Sequence, residues 1–89
     1  MRRGYLVSGV VQGVGFRHFT RRAGLRIGVT GWVRNRADGT VEALADGTES
    51  QLLEFERFLR EGPAGASVTD IHASDTPGDV APLIGFEIR

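Results

Sequence analysis

The sequence predicts an α+β sandwich in which two helices cover one face of an antiparallel sheet. Apolar residues alternate with a period of two in several short segments, as in half-buried strands. Two longer segments repeat their apolar residues every three or four positions, as in amphipathic helices. An Asp-Gly turn joins the two strands that lie between these helices. Because 89 residues suffice for one hydrophobic core, we expect a single domain over residues 1–89.

The first part of the pattern is a strand, a glycine-rich loop and a helix. The strand is predicted from about Gly4 to Val11, and its alternation places three apolar residues on one face, Tyr5, Val7 and Val11. The stretch from Gln12 to Gly15 interrupts the strand. The helix is predicted from about Phe16 to Ile27, because apolar residues are spaced there by three, four and four, at Phe16, Phe19, Ala23 and Ile27. Gly28 stands where a left-handed residue commonly ends a helix.

A hairpin follows the first helix. Its first strand is predicted from about Val29 to Arg34, with one face formed by Val29, Gly31 and Val33. Asp38-Gly39 is a turn signal, so the next strand, from about Thr40 to Ala45, is expected to pair antiparallel with it.

The second helix begins with a capping-box pattern. Thr48 is its expected N-cap, and Gln51 is placed for its side chain to reach back to the Thr48 amide. The helix is expected to bury three apolar residues, Leu52, Phe55 and Leu59, and to end at Gly62-Pro63. A weaker strand follows at about Ser67 to Ala73. A loop containing Pro and Gly then leads to a short closing strand over Phe86, Glu87 and Ile88.

This order of elements describes a ferredoxin-like sandwich, βαββαβ, with an extra short C-terminal strand. Right-handed crossovers place both helices on one face of its antiparallel sheet. The fold serves many functions, so function has to be argued from the residues of a site.

Charge is distributed unevenly although the formal net charge is +0. Residues 1–36 contain eight of the eleven arginines and no Asp or Glu, while all eleven acids follow in residues 37–89. Two interpretations are open at this point: the basic segment binds an anion, or the two halves interleave in the fold and neutralise each other. The chain has no cysteine, which excludes disulfides, thiolate nucleophiles and Cys-bound metals. No apolar run is long enough to span a membrane, and the N-terminus does not read as a secretory signal, so we expect a cytoplasmic protein without a membrane partner.

The segment from Val11 to Arg17 combines three features of an anion site. Two glycines occupy a short turn between strand and helix, and the turn opens onto a helix N-terminus, where free N–H groups and the helix dipole favour an anion. Arg17 stands in the first helical turn, where an acid is ordinarily preferred. Glycine allows the backbone to approach a phosphate closely, and an arginine fork suits phosphate oxygens. A simple tight turn with a solvated arginine explains these residues equally well on chemistry alone.

Asn35 ends the second predicted strand, in Trp32-Val33-Arg34-Asn35-Arg36. Asparagine is common in turns for conformational reasons, and that interpretation would be preferred if Asn35 stood alone. However, a right-handed strand–helix–strand unit is expected to bring the second strand beside the first and parallel to it. Asn35 would then lie at the same sheet edge as the glycine-rich loop, within reach of a bound group.

At these two places the sequence resembles the acylphosphatase family. One family signature is matched by Gly9-Val10-Val11-Gln12-Gly13-Val14-Gly15-Phe16-Arg17, and a second by Gly31-Trp32-Val33-Arg34-Asn35 followed by Gly39-Thr40-Val41. Gly47 falls where the family has a further glycine. The resemblance implies catalytic roles for Arg17 and Asn35. It also implies a phosphate cradle of backbone amides from Gln12, Gly13, Val14, Gly15, Phe16 and Arg17.

The resemblance further implies hydrolysis of a carboxylic-phosphoric anhydride, an acyl phosphate, to a carboxylate and inorganic phosphate. The motifs contain no Cys or acid, which favours direct attack by water over a covalent intermediate. No metal and no cofactor is expected. Arg36 is expected to point into solvent and His18 to lie on the helix surface. The expected partners are the small-molecule substrate and product, with no nucleic acid, and a monomer is the simplest expectation.

Two alternatives remain. A non-catalytic anion- or RNA-binding module could use the same fold, although the strands lack the exposed aromatic pairs that stack bases, and Phe16, Phe19 and Phe55 are expected in the core. An acylphosphatase-like domain of hydrogenase maturation ranks lower. Such a domain normally belongs to a much larger chain with zinc-binding cysteines, which are absent here.

Overall fold

The computed structural model describes residues 1–76 and 82–89. In these ranges the chain forms two helices and five strands, in the order β1 (Arg2–Val10), α1 (Phe16–Ile27), β2 (Thr30–Asn35), β3 (Val41–Asp46), α2 (Glu49–Glu61), β4 (Ser67–Asp75) and β5 (Phe86–Ile88). The strands form one sheet in the order β4-β1-β3-β2-β5. The predicted α+β, ferredoxin-like fold is therefore confirmed. The predicted loop before the last strand lies in part outside the described residues.

The sheet order corrects the expectation that the second strand lies beside the first. β3 lies between them and pairs antiparallel with both β1 and β2. The tight hairpin after β2 brings the chain straight back, so β3 fills the place next to β1 that the crossover left open. β1 and β2 nevertheless run in the same direction, and both end at the edge of the sheet where α1 begins.

A second correction concerns strand direction, because the sheet is mixed rather than wholly antiparallel. β5 pairs in parallel with β2, with Phe86 opposite Gly31 and Ile88 opposite Val33. β4 ends opposite the start of β1, where Asp75 pairs with Arg3. The chain therefore returns along β5 from the end of the sheet at which β2 also begins, and the two strands run the same way.

The core lies between the two helices and one face of the sheet. Alternating residues of β1, β2 and β3 supply one side of it, among them Tyr5, Val7, Val33, Val41 and Ala43. α2 contributes the three predicted residues, Leu52, Phe55 and Leu59, all fully buried. No helix in the described part of the chain is long and apolar enough to cross a membrane.

The buried stripe of α1 differs from the predicted one. Its buried residues are Phe16, Thr20, Ala23 and Gly24, whereas Phe19 and Ile27 are only half-buried. Thr20 is tolerated in the core because its hydroxyl donates a hydrogen bond to the Phe16 carbonyl at 2.9 Å. Gly24 is buried because the Phe86 ring packs directly against it. The core face of α1 is thus selected by small size as well as by hydrophobicity.

Candidate active site

The loop between β1 and α1 is anchored in the core on both sides of its glycines. Val11 and Phe16 are fully buried, and Val14 packs against the core from its half-buried position. Between these anchors, Gly13 and Gly15 adopt φ values of 75° and 78°, in the left-handed region where a side chain is disfavoured. The apolar anchors fix the loop while the two glycines turn its backbone toward solvent.

The N-termini of the two helices differ in their capping. α2 begins with Thr48, whose side chain accepts a hydrogen bond from the Gln51 N–H, and Glu49 lies in the first turn. α1 begins with Gly15, which has no side chain to act as a cap, and its first turn contains no acid. The first intrahelical bond at this end runs from the Phe19 N–H to the Gly15 carbonyl, at 3.0 Å. The preceding amides of the turn therefore have no acceptor within the helix, and the positive end of its dipole is uncompensated.

Arg17 is half-buried in this first turn and lines a cavity of about 220 Å³. Within residues 1–76 and 82–89 its guanidinium makes no ion pair or hydrogen bond to another side chain. A cation at the positive end of a helix is electrostatically unfavourable. An anion bound in the cavity would compensate both the positive end of the helix dipole and the charge of Arg17.

Asn35, the last residue of β2, lies in the wall of the same cavity. Its side-chain oxygen Oδ1 is buried and accepts no hydrogen bond from the described part of the protein. Leaving a buried acceptor unpaired costs about 1–3 kcal/mol, so such atoms commonly have a partner in a bound water or ligand. The structure thus brings two residues to one cavity. Arg17 lies where β1 leads into α1, and Asn35 lies where β2 leads into its turn.

The predicted cradle residues fall into two groups. Four of them line the cavity, namely Gly13, Gly15, Phe16 and Arg17. The Val14 side chain packs on the core instead, and the Gln12 side chain reaches across to the β2–β3 turn. The sequence pattern does not indicate this contact, because its partners lie 24 and 28 residues away in the chain.

His18 and Arg36 both lie on the surface next to a proposed catalytic residue. His18 is exposed and lines the cavity beside Arg17. Arg36 is exposed as expected, but it is not simply solvated. Its guanidinium lies 3.6 Å from an Asp38 carboxylate oxygen and 3.9 Å from one of Glu42. These carboxylates offset the charge of Arg36 beside Asn35.

Comparison with known proteins identifies the family. The acylphosphatase family model matches residues 3–88. The chain is 49% identical over 89 residues to an acylphosphatase of Nitratidesulfovibrio vulgaris, covering 99% of this chain and 89% of that protein. It is 58% identical over 65 residues to an acylphosphatase of Rhizobium etli, covering 73% and 69% of the two chains.

A solved structure extends the agreement to the whole fold. The crystal structure of acylphosphatase from Bacillus subtilis superposes with a TM-score of 0.94 at 36% identity, covering 99% of this chain and 97% of that one. The family match, these relatives and the shared fold cover nearly all of the sequence. The chain therefore belongs to the acylphosphatase family.

Proposed function

We propose that the cavity between the glycine loop and Asn35 hydrolyses acyl phosphates to a carboxylate and inorganic phosphate. Membership of the acylphosphatase family supports this activity. The observation that carries the assignment to this cavity is the combination of an uncapped helix N-terminus with an arginine and an asparagine oxygen that have no partner among residues 1–76 and 82–89.

In the proposed complex the phosphoryl group occupies the cradle from Gln12 to Arg17. The amides of the first turn of α1 and the Arg17 guanidinium would bind its oxygens, since both present donors toward negative charge. The same donors would stabilise the charge that spreads over these oxygens in the transition state. Arg17 and the helix dipole then act together on one group.

The second role falls to Asn35. Its Oδ1 would accept a hydrogen bond from a water molecule and hold that water in line with the bond to the leaving group. The water oxygen forms the new bond to phosphorus as the bond to the carboxyl oxygen breaks. The carboxylate leaves with the electron pair, and the proton of the water passes to a phosphoryl oxygen. Because a carboxylate is a good leaving group, no general acid is required.

Hydrolysis of benzoyl phosphate tests the proposed function. We expect turnover by the wild-type chain that is unchanged by a metal chelator. No turnover would refute the enzymatic assignment, and loss of turnover with chelator would refute hydrolysis without a metal.

We also propose that residues 1–89 act as one domain, as a cytoplasmic monomer without a nucleic-acid partner. The single continuous core supports one domain.

On the sheet face opposite the helices, the Trp32 ring is approached by the guanidinium groups of Arg34 and Arg89, at 5.3 and 5.0 Å from its centroid. A base would have to displace these groups to stack on Trp32. Size-exclusion chromatography and RNA titration over a range of salt concentrations test this proposal. An elution volume of a dimer or salt-sensitive RNA binding would contradict it.

A further inference from the structure

The Gln12 side chain joins the glycine loop directly to the β2–β3 turn. Its amide nitrogen Nε2 donates to the Arg36 carbonyl at 2.7 Å and to the Thr40 carbonyl at 3.0 Å. A primary amide has two N–H groups, so both donors of Gln12 are used on this one turn.

The two acceptors are the carbonyls that close the turn. The Arg36 N–H donates to the Thr40 carbonyl at 2.9 Å, and the Gly39 N–H donates to the Arg36 carbonyl at 3.2 Å. Asn35 immediately precedes this turn and pairs with Val41 on the opposite strand. Gln12 therefore fixes the backbone of the turn that directly follows Asn35.

No backbone pairing between strands links the glycine loop to the β2–β3 turn. β1 and β2 share no hydrogen bonds because β3 separates them, and the pairing of β1 with β3 ends at Val7 opposite Val41. From there β1 continues only against β4, with an irregularity in pairing between Ser8 and Gly9. The buried anchors Val11 and Phe16 hold the loop that follows in the core, and the Gln12 side chain adds a direct hydrogen-bonded link from this loop to the turn.

We propose that Gln12 is a positioning residue that sets the distance between the phosphate cradle and Asn35. This inference rests on the proposed function, because the distance matters only if the cradle holds the phosphoryl group and Asn35 holds the attacking water. Gln12 acts on the site through the turn: the cavity lining includes its neighbours Val11 and Gly13 but not Gln12 itself. Its loss should misplace the water while leaving the cradle donors in the loop.

Gln12→Leu tests this role, because leucine keeps the bulk and removes both donors. We expect kcat on benzoyl phosphate to fall about 10- to 100-fold, the order of effect that a misplacement of about 1 Å produces. The inhibition constant of inorganic phosphate should change less than about threefold, since binding by the cradle is retained. In an Asn35→Ala background the same substitution should lower kcat less than about threefold, because Asn35 is the group through which it acts.

Gln51→Leu is the matched control. Gln51 also bridges two elements, since its Nε2 donates to the Ile27 carbonyl at 3.2 Å, but it belongs to the α2 cap. Its substitution should lower the melting temperature and leave kcat unchanged. If Gln12→Leu fails to fold, Gln12→Met provides the same loss of donors with a more adaptable side chain.

Three outcomes of the kinetic measurements would overturn the inference. They are an unchanged kcat in Gln12→Leu, a parallel loss of phosphate affinity, or an undiminished effect in the Asn35→Ala background. Amide NMR spectra give a readout that does not require turnover, and we expect shifts at Arg36, Thr40 and the Asn35 side chain. Absence of these shifts would also refute the bridge. Failure of the proposed function is distinct from all of these, because the wild-type chain itself would then not hydrolyse benzoyl phosphate.

Discussion

Arg17 differs from the arginines of the sheet in having no carboxylate beside it in the described ranges. Arg2, Arg3 and Arg34 each lie within 3 Å of an acidic oxygen. We expect Arg17→Ala to lower kcat/KM by at least about 10²- to 10³-fold, because it removes donors that bind the phosphoryl oxygens in the ground and transition states. Arg17→Lys should recover little, since an ammonium cannot reproduce the planar fork. Benzoyl phosphate kinetics and inhibition by inorganic phosphate measure both effects.

Arg57→Ala controls for the loss of one positive charge. Arg57 is exposed on α2, outside the residues that line the cavity, and its substitution should leave kcat/KM unchanged. If Arg17→Lys proved nearly as active as the wild type, a point charge would suffice at this position, and recognition by a guanidinium fork would be wrong.

Substitution of Asn35 is expected to lower turnover without lowering the affinity for phosphate. Asn35→Ala should lower kcat about 10- to 100-fold through loss of water orientation, while the inhibition constant of phosphate stays nearly constant. The melting temperature should not fall, because the substitution deletes a buried oxygen that has no partner in the described structure. A phosphate affinity reduced as far as kcat would contradict the proposed positioning of water.

Helix α1 shows a packing constraint that outweighs helix propensity. A Cβ added at Gly24 would lie 2.5 Å from the Phe86 ring. Alanine is preferred to glycine in helices by about 1 kcal/mol, but overpacking a core costs about 1–3 kcal/mol. We expect Gly24→Ala to destabilise the protein by about 1 kcal/mol in net terms, measured by urea denaturation. In a Phe86→Ala background the same change should be neutral or stabilising, and an equal penalty in both backgrounds would exclude the ring contact as its cause.

This contact also shows why the sequence predicted the elements better than their packing. The spacing of Phe16, Phe19, Ala23 and Ile27 correctly indicated a helix, because periodicity is a local property. The burial of Gly24 on this helix depends on Phe86, which lies 62 residues beyond Gly24 in the chain. A local pattern cannot report a partner at that distance.

The same limit applied to the candidate site. Motif and strand order predicted that the cradle residues and Asn35 form one site, but the expected contact of β1 with β2 was wrong because β3 intervenes. The bridging role of Gln12 follows from that inserted strand and from the turn that it forms with β2. It could be inferred only once the register of the hairpin was known.

A bidentate ion pair links the start of β1 to the end of β3. The Arg2 Nε and Nη2 donate to the two Asp46 carboxylate oxygens at 2.6 and 2.7 Å. These hydrogen bonds, more than the charge of Arg2 alone, hold the pKa of Asp46 below its usual range. A depressed folded-state pKa contributes stability above the unfolded-state pKa, and that stability is lost as the pH falls through the folded-state value.

We therefore expect Asp46→Asn to lower the melting temperature at pH 7. The difference from the wild type should begin to shrink as the pH falls below about 4, and it should vanish once Asp46 is protonated in both states. Asp75→Asn is the control, since Asp75 pairs with Arg3 at 2.9 Å but is 72% exposed and well solvated. Its effect at pH 7 should be smaller than that of Asp46→Asn. A difference between Asp46→Asn and wild type that persisted unchanged into strong acid would exclude this pair as the source.

At the scale of the whole molecule, the uneven charge is neutralised across the sheet but not on α1. Where strands interleave, arginines of the first 36 residues meet acids of the second half, as in the pairs Arg2–Asp46 and Arg34–Glu42. On α1 this neutralisation stops. In the described ranges no carboxylate lies within ion-pair distance of Arg17, Arg22 or Arg26. The uncompensated positive charge of the basic segment is thereby gathered on the helix whose N-terminus opens into the cavity.

This placement predicts that α1 attracts the anionic substrate before it binds. His18, Arg22 and Arg26 are spaced by four residues, so they follow one exposed side of the helix over about 12 Å, close to the Debye length at 0.1 M salt. We expect kcat/KM for benzoyl phosphate to fall with ionic strength. Arg22→Gln/Arg26→Gln should lower it about two- to fivefold at low salt and converge with the wild type near 0.5 M salt. Arg57→Gln/Arg60→Gln removes the same net charge from α2. If both double variants behaved alike, net charge rather than its position on α1 would govern the approach of the substrate.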